Sequence, residues 1–402
     1  MLNNVLIQAK QAILQPGVQI DNVLVQIQDG VIQQVKKVKT ASCEAVDLGE
    51  VVLIPGLVNA HTHLEFSDLD QPLGQSRMPF VDWLRLVIQN RFRGMESGKN
   101  KADVIAAGIE NCADAGVVSI GEIATSPVEI RSYEDKRVDV TLFLERLSRD
   151  AARIDHVGAE CETWLADQSK HSGINVIKAV SPHAPYSVHP SLLNNLVRQS
   201  IENRCPVAMH LAETREEIQL INELNGPFVD FLKSISAWYP QTYTRGTSIL
   251  DYLKVLSKAP LALVVHGNYL TDQEISYIAK HGNMFVVFCP RTHAYFGHET
   301  YPMEKLIRAG VNVVIGTDSM ASNPDLCLFE ELKFIRSIFP VLGETEILRM
   351  AVSSDALGLL PHHTFIKPGN SANINVVTGG FENGLFSEQS HCQPLGQWLD
   401  TR

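Results

Sequence analysis

From Asn22 to Val35 the chain reads NVLVQIQDGVIQQV, with apolar and polar residues alternating on either side of Asp29-Gly30. A period of two places the apolar set on one face of a strand, and Asp-Gly is a two-residue hairpin signal. Residues 1 to about 50 are therefore expected to be β structure. Pro368–Gly380, PGNSANINVVTGG, is again short and strand-like, so both chain ends are expected to join in one small β domain. Between them the pattern changes. Short apolar runs, Val51–Ile54, Val117–Ile120, Val138–Leu144, Ile174–Val180, Pro206–Leu211, Leu261–His266, Asn283–Cys289 and Val311–Gly316, alternate with amphipathic stretches such as Pro79–Phe92, Lys101–Asp114, Pro190–Glu202 and Thr271–Lys280. This is the pattern of βα units and a parallel sheet. Eight such strands match a closed (β/α)8 barrel in which every strand's carboxyl end delivers residues to one face; a doubly wound open sheet is the alternative. The expected architecture is α/β, a (β/α)8 TIM barrel over residues 53–362 with a small flanking β-sandwich domain built from residues 1–52 and 363–402.

Charge and composition narrow the partners of such a fold. With 34 Lys+Arg against 45 Asp+Glu the formal charge is -11, and no basic run offers a nucleic-acid footprint, so a small-molecule substrate is expected. The seven cysteines form no CxxC pair, which argues against a disulfide framework or a cysteine zinc site and for a reducing compartment. Gln8 and Lys10 interrupt what a signal peptide would need, and no segment approaches 18 apolar residues; the expectation is a cytoplasmic protein without a membrane partner.

Candidate chemistry then appears at the strand ends. His61 and His63 follow the first run in PGLVNAHTHLEFS; residues i and i+2 of an extended segment share a face, so both imidazoles can reach one point. His183 follows the fourth run in VSPHAPYS, His210 ends the fifth in VAMHLAET, His266 ends the sixth in LVVHGNY, and Asp318 ends the eighth in VVIGTDS. In a barrel all converge on one rim. Imidazoles and a carboxylate are ligand types that Zn²⁺ or Fe²⁺ accepts. Singly, each histidine reads as a hydrogen-bonded structural group; their order along the strands favours a metal site.

Together PGLVNAHTH, SPHAPYS, HLAET, VHGNYL and GTDS resemble the metal-dependent amidohydrolase superfamily, in its branch of aromatic-heterocycle deaminases and chlorohydrolases, over nearly the whole chain. The resemblance implies one divalent metal ion, zinc first and iron second, held by His61, His63, His210 and Asp318. It further implies that His266 hydrogen-bonds the reacting water, that Glu213 is a proton shuttle, that Asp318 also accepts a proton, and that His183 stands on the substrate side. The chemistry agrees with these roles: a metal lowers the pKa of water from 15.7 to about 7. Ammonia leaves only after protonation, so a carboxyl group must carry protons from water to substrate. Glu213 has a structural alternative, a glutamate in the first turn of a helix starting near Ala212. Lys178 is expected to be a paired or solvated head on a buried stem.

Substrate contacts are less sharply defined. Glu65 reads either as a group facing a substrate donor or as a cap or salt-bridge partner. FCPRTHAYFGHETYP departs from the CPxSN-like segment of many relatives and places Arg291, His293 and Tyr295 after the seventh strand, where an arginine could grip a carboxylate bidentately or pair with an acid such as Glu330. Phe80, Trp83 and Leu84 on Pro79–Phe92 read as pocket cover or as core. The wording HTHLEFSDL and CPRTHAYFGH is similar to the aminodeoxyfutalosine deaminases, implying an adenine nucleoside joined to a benzoate. The alternatives are deaminases of adenosine, methylthioadenosine, S-adenosylhomocysteine, guanine or cytosine, a triazine chlorohydrolase, or a metal-stabilised binding barrel. The resemblance also implies a possible homodimer.

Overall fold

The computed structural model describes residues 4–39, 43–97, 100–125, 130–133, 135, 137–167, 176–359, 363–380 and 384–401. Five strands open the chain: β1 (Val5–Gln15), β2 (Val18–Gln28), β3 (Val31–Lys37), β4 (Val46–Asp47) and β5 (Val52–Pro55). Eight follow: β6 (Leu57–Thr62), β7 (Val117–Ala124), β8 (Asp139–Arg146), β9 (Val176–Pro182), β10 (Val207–Leu211), β11 (Ala262–His266), β12 (Met284–Phe288) and β13 (Asn312–Ile315). Two close the chain, β14 (Ile374–Thr378) and β15 (His391–Pro394).

The alternating amino-terminal segment forms the hairpin its pattern predicts. Asp29 and Gly30 both hold positive φ, 51° and 75°, which a tight turn between twisted strands requires. Ile7, Ala9 and Ala12 of β1 and Val23, Val25 and Ile27 of β2 point into one buried cluster. Both chain ends meet in a single mixed sheet ordered β15-β14-β5-β1-β2-β3, with β4 beside β1.

Strands β6 to β13 are parallel and lie in sequence order, forming a nearly closed barrel with helices outside. Its interior is filled by side chains such as Val58, Ile123, Phe143, Ala208, Leu263, Val287 and Val314, and a second apolar layer packs the helices onto the strands. Most predicted helices recur within a residue or two, Lys101–Asp114, Pro190–Asn203 and Asp272–Ala279 among them; the helix begun at Phe80 runs on to Ser97. Ile174, the expected start of the fourth run, lies outside the described residues together with Asn175.

One expectation is corrected. Val51–Ile54, read as the first barrel strand, belongs to the flanking sheet, where β5 pairs antiparallel with β14 and parallel with β1. The first barrel strand is Leu57–Thr62, which carries His61 within it. Its polar residues disguise it as a loop, yet every one of its residues is buried. Asn59 explains how: its Nδ2 donates to Thr317 Oγ1 at 2.7 Å and its Oδ1 accepts from Thr317 N at 3.1 Å, so an internal hydrogen-bond pair ties the first strand to the segment after the last. The Asp318 N–H donates to the His61 carbonyl at 3.0 Å, closing the ring beside Thr62. Among the described residues no helix is long and apolar enough to cross a membrane.

Candidate active site

The closure just described delivers two ligand candidates to one point. Asp318 Oδ1 lies 3.7 Å from both His61 Nε2 and His63 Nε2. His210, on β10, completes the group: one nitrogen from each of His61, His63 and His210 lies within 4.8 Å of the others, and the same holds for the ligating atoms of His61, His266 and Asp318. Neighbouring parallel strands produce this convergence: His210 is the last residue but one of β10 and His266 the last of β11, one step apart in the register, where His210 pairs with Val265 and Leu211 with His266.

Backbone strain marks the same rim. Ala212, His266 and Asp318 hold φ of 55°, 69° and 59°, left-handed conformations that non-glycine residues adopt at a cost of about 1–3 kcal/mol each. They persist because surrounding bonds over-determine them. Glu217 accepts from the Ala212 and Glu213 amides at 3.0 and 2.9 Å, Asn268 Nδ2 donates to the Glu213 carbonyl at 2.9 Å, and Tyr301 Oη donates to the His266 carbonyl at 2.9 Å. Asp318 Oδ1 accepts from the Ser319 amide at 2.8 Å.

The donor set fits a divalent cation. Burial, reinforced by the neighbouring rings, holds His61 and His63 well below the usual histidine range, and burial brings His210 to about 4, so all three are neutral near pH 7. Neutral imidazole is the ligating form. His210 Nδ1 sits 3.1 Å from the His183 carbonyl, which can only accept, so Nδ1 carries the proton and Nε2 is left bare. The clearest sign is His61 Nε2: it is buried with no hydrogen-bond partner, a costly arrangement unless an ion takes the lone pair.

Glu213 lies before the helix that starts at Arg215, whose cap is Thr214, so it does not serve the helix first turn. Its Oε1 stands 3.4 Å from His266 Nε2. Burial, then the charges of Asp318 and Glu217, push its carboxyl well above the ordinary range, and burial raises Asp318 to about 7. A carboxyl that holds a proton near neutrality beside another that can take one is suited to proton transfer. His183 sits next to this group, with Nδ1 2.6 Å from Ser187 Oγ, and burial lowers it to about 3.

These residues line a cavity of about 360 Å³ whose outer wall is apolar, with Phe66, Phe80, Trp83, Leu84 and Tyr186 among its members. Trp83 both lines it and donates Nε1–H to the Ala321 carbonyl at 3.1 Å. A second cavity, about 800 Å³, adjoins it; Phe66, Arg91, Glu145 and Leu147 border both.

Other expected substrate contacts are not brought to the metal-side cavity. Arg291 is engaged elsewhere: Nε donates to Glu331 at 2.6 Å and Nη2 to Asp325 at 2.7 Å, neither of them the Glu330 expected as a partner. His293 packs against Phe288, His298 and Tyr301, and Tyr295 Oη donates to the Leu73 carbonyl at 2.6 Å. All three sit on the short helix Pro290–Phe296, and none of them borders the metal-side cavity. Glu65 borders the larger cavity, held by Arg91, Lys101 and Thr125. Lys178 donates to the Trp164 and Asp167 carbonyls outside the barrel.

Sequence reasoning passed over three acids. Glu122 accepts the Leu64 amide on both oxygens, 3.1 and 3.0 Å, fixing the turn after His63. Glu145 lies 3.9 Å from His183 and borders both cavities. Glu217 was the third. The signal for the first two was available: VVSIGE and VTLFLER each end an apolar run with an acid, as the histidine motifs do with a base.

A family model described as "Amidohydrolase family" matches residues 52–391. An aminodeoxyfutalosine deaminase of Deinococcus radiodurans is 29% identical over 316 residues, covering 75% of this chain and 72% of the relative. A 5-methylthioadenosine/S-adenosylhomocysteine deaminase of Pyrococcus furiosus is 26% identical over 371 residues, covering 87% and 81%. Among solved structures, Helicobacter pylori aminofutalosine deaminase in complex with methylthio-coformycin superposes with a TM-score of 0.76 at 22% identity, covering 93% of this chain and 92% of that one.

Proposed function

The chain belongs to the amidohydrolase family and is a metal-dependent hydrolase of C–N bonds; from that premise we propose that it deaminates a 6-aminopurine nucleoside, 6-aminodeoxyfutalosine, releasing ammonia. His61, His63, His210 and Asp318 would hold the divalent cation, for which zinc suits the donor set and iron is the second choice. When bound, that ion supplies a Lewis acid able to ionise water near neutral pH.

The rest of the chemistry falls to the side chains. Asp318 and His266 hold the attacking water, and Asp318 takes up a proton. Glu213 delivers a proton to the ring nitrogen, so that the ring can accept electrons as C6 becomes tetrahedral. It then takes up the proton of the new C6 hydroxyl and passes it to the amino group, which leaves as ammonia as the C6 carbonyl forms, and the proton held by Asp318 restores Glu213. The apolar wall of Phe80, Trp83 and Leu84 covers the purine and excludes bulk water.

The observation that carries the substrate reading is the second cavity. Its border includes five cations, Arg91, Arg93, Lys101, Arg146 and Arg153, against four acids, Glu65, Asp68, Glu145 and Glu160. Arg91 and Lys101 are paired with Glu65; Arg146 is only 8% exposed, its Nη1 donates to the Glu145 carbonyl at 3.1 Å, and its buried Nε stands 3.8 Å from Glu160 without a hydrogen bond. A nucleoside whose base faces the histidines would extend its 5′ arm here, and an acidic aromatic arm matches guanidinium groups in reach of a carboxylate. This transfers the carboxylate grip from Arg291 to Arg146 and Arg153.

Ammonia release should be followed for 6-aminodeoxyfutalosine, adenosine, methylthioadenosine and S-adenosylhomocysteine with metal-loaded protein. The expected order puts 6-aminodeoxyfutalosine first in kcat/KM by about tenfold or more, the scale of one well-placed ionic contact. Preference for a nucleoside without a carboxylate removes the arm assignment; ammonia release from none of the four removes the proposal as a whole. Glu213→Gln should lose about 10²–10⁴ in kcat with its metal retained.

A further inference from the structure

Arg149 is 4% exposed, and none of its hydrogen bonds among the described residues goes to a carboxylate. Nη1 donates to the Pro185 and Val188 carbonyls at 2.8 and 2.7 Å. On its other side Nη2 donates to the Thr242 carbonyl at 2.7 Å, and Nε and Nη2 reach Thr242 Oγ1 at 3.1 and 2.9 Å. The guanidinium carbon lies 3.5 Å from the centre of the Tyr243 ring. Burying a cation without an acid costs several kcal/mol, and an apolar side chain of similar volume would often serve stability as well or better.

What an apolar group could not do is bridge two backbone segments. Pro185–Val188 follows β9 and carries Tyr186 and Ser187; the other segment carries Tyr239, and all three side chains border the metal-side cavity. Two further bonds reinforce the bridge: Tyr243 Oη donates to the Tyr186 carbonyl at 3.1 Å and Thr242 Oγ1 to the Tyr239 carbonyl at 2.8 Å. The segment in turn sets a ring, because Ser187 Oγ lies 2.6 Å from His183 Nδ1 and donates to the Ala184 carbonyl at 3.1 Å. The path therefore runs from Arg149 through the backbone of residues 185–188 to Ser187 and His183.

We infer that Arg149 is a positioning residue: its planar fork locks Pro185–Val188 to Tyr239–Thr242 and, through Ser187, sets the orientation of His183 against the bound nucleoside. Its kinetic readout rests on the deaminase reading above. Lysine would keep the charge and lose the fork, so Arg149→Lys separates geometry from electrostatics.

The test is a cycle of wild type, Arg149→Lys, Ser187→Ala and the double variant, all metal-loaded, assayed for ammonia release from an adenine nucleoside. Misplacement by about 1 Å costs about 10²-fold, so Arg149→Lys should lower kcat about 10–100-fold with KM moved far less. Because both residues act on one ring, the double variant should be no slower than the slower single. A kcat close to wild type in Arg149→Lys, or losses that multiply in the double variant, overturns the inference. Should Arg149→Lys fail to fold, Thr242→Val takes its place, removing one acceptor and leaving the cation. If wild type releases no ammonia from any aminopurine nucleoside, the deaminase reading falls, and the inference is decided without turnover by nuclear magnetic resonance. Solvent exchange at the His183 ring should then be faster in the variant than in wild type, and equal rates overturn it.

Discussion

Arg291 and Arg146 show how a residue's surroundings decide its use. Arg291 donates to Glu331, which is fully buried and also accepts from Asn323 Nδ2 at 2.6 Å. The carboxylates of Glu331 and Asp325 hold its guanidinium above the ordinary arginine range despite burial. Removing one partner of a buried pair leaves the other charge stranded, so Arg291→Ala should destabilise the fold by about 3–5 kcal/mol. Thermal or urea unfolding measures this, and the ratio of kcat/KM between nucleosides with and without a carboxylate should stay at the wild-type value. A collapse of that ratio with stability intact would return Arg291 to the substrate. In the sequence, CPRTHAY offers an arginine beside a strand end, and nothing local states that Asp325 and Glu331, more than thirty positions away, are waiting for it.

Between elements, the site depends on how closely β6 and the end of β13 approach. Gly316 lies where an added Cβ would meet His61 Cβ at 2.8 Å and the His61 carbonyl oxygen at 2.9 Å. Backbone on both sides leaves no flexible atom to yield. Gly316→Ala should therefore push His61 away from Asp318, weakening metal binding by about 10–100-fold, the usual cost of disturbing the groups that orient ligands. Competition against a coloured chelator reads this directly; wild-type affinity in the variant would show that the strands can part without moving the ligands. The same approach explains the missed strand. β6 is buried on every residue, but Asn59, His61 and Thr62 interrupt the apolar pattern by which buried strands are recognised.

At the scale of the molecule, the ends of β6, β9, β10 and β11 and the segment after β13 bring neutral histidines and raised carboxyls to one rim. Such a cluster is poorly satisfied without its ion, so binding should contribute to stability. One site at a hundred times its dissociation constant adds about 2.7 kcal/mol. Stripping the metal with a chelator should lower the melting temperature by about 5 °C, and stoichiometric zinc should restore it. A melting temperature indifferent to complete metal removal would contradict a cation at this cluster. The flanking sheet joins both chain ends and lies apart from the chemistry; among the residues bordering the metal-side cavity, none comes from it.

By itself the sequence determined the alternation of strands and helices, the amino-terminal hairpin and the histidine, glutamate and aspartate motifs at successive strand ends. Each is written in local period or in a few adjacent residues, and the barrel's parallel order converts strand ends into a common rim. Only the tertiary structure decided which apolar run joined the flanking sheet, where Arg291 and Glu65 found their partners, and that Arg149 bridges two segments beside His183. Those outcomes depend on hydrogen bonds and ion pairs between residues far apart in the chain, whose energies exist only once desolvation has forced each buried polar group to find a partner.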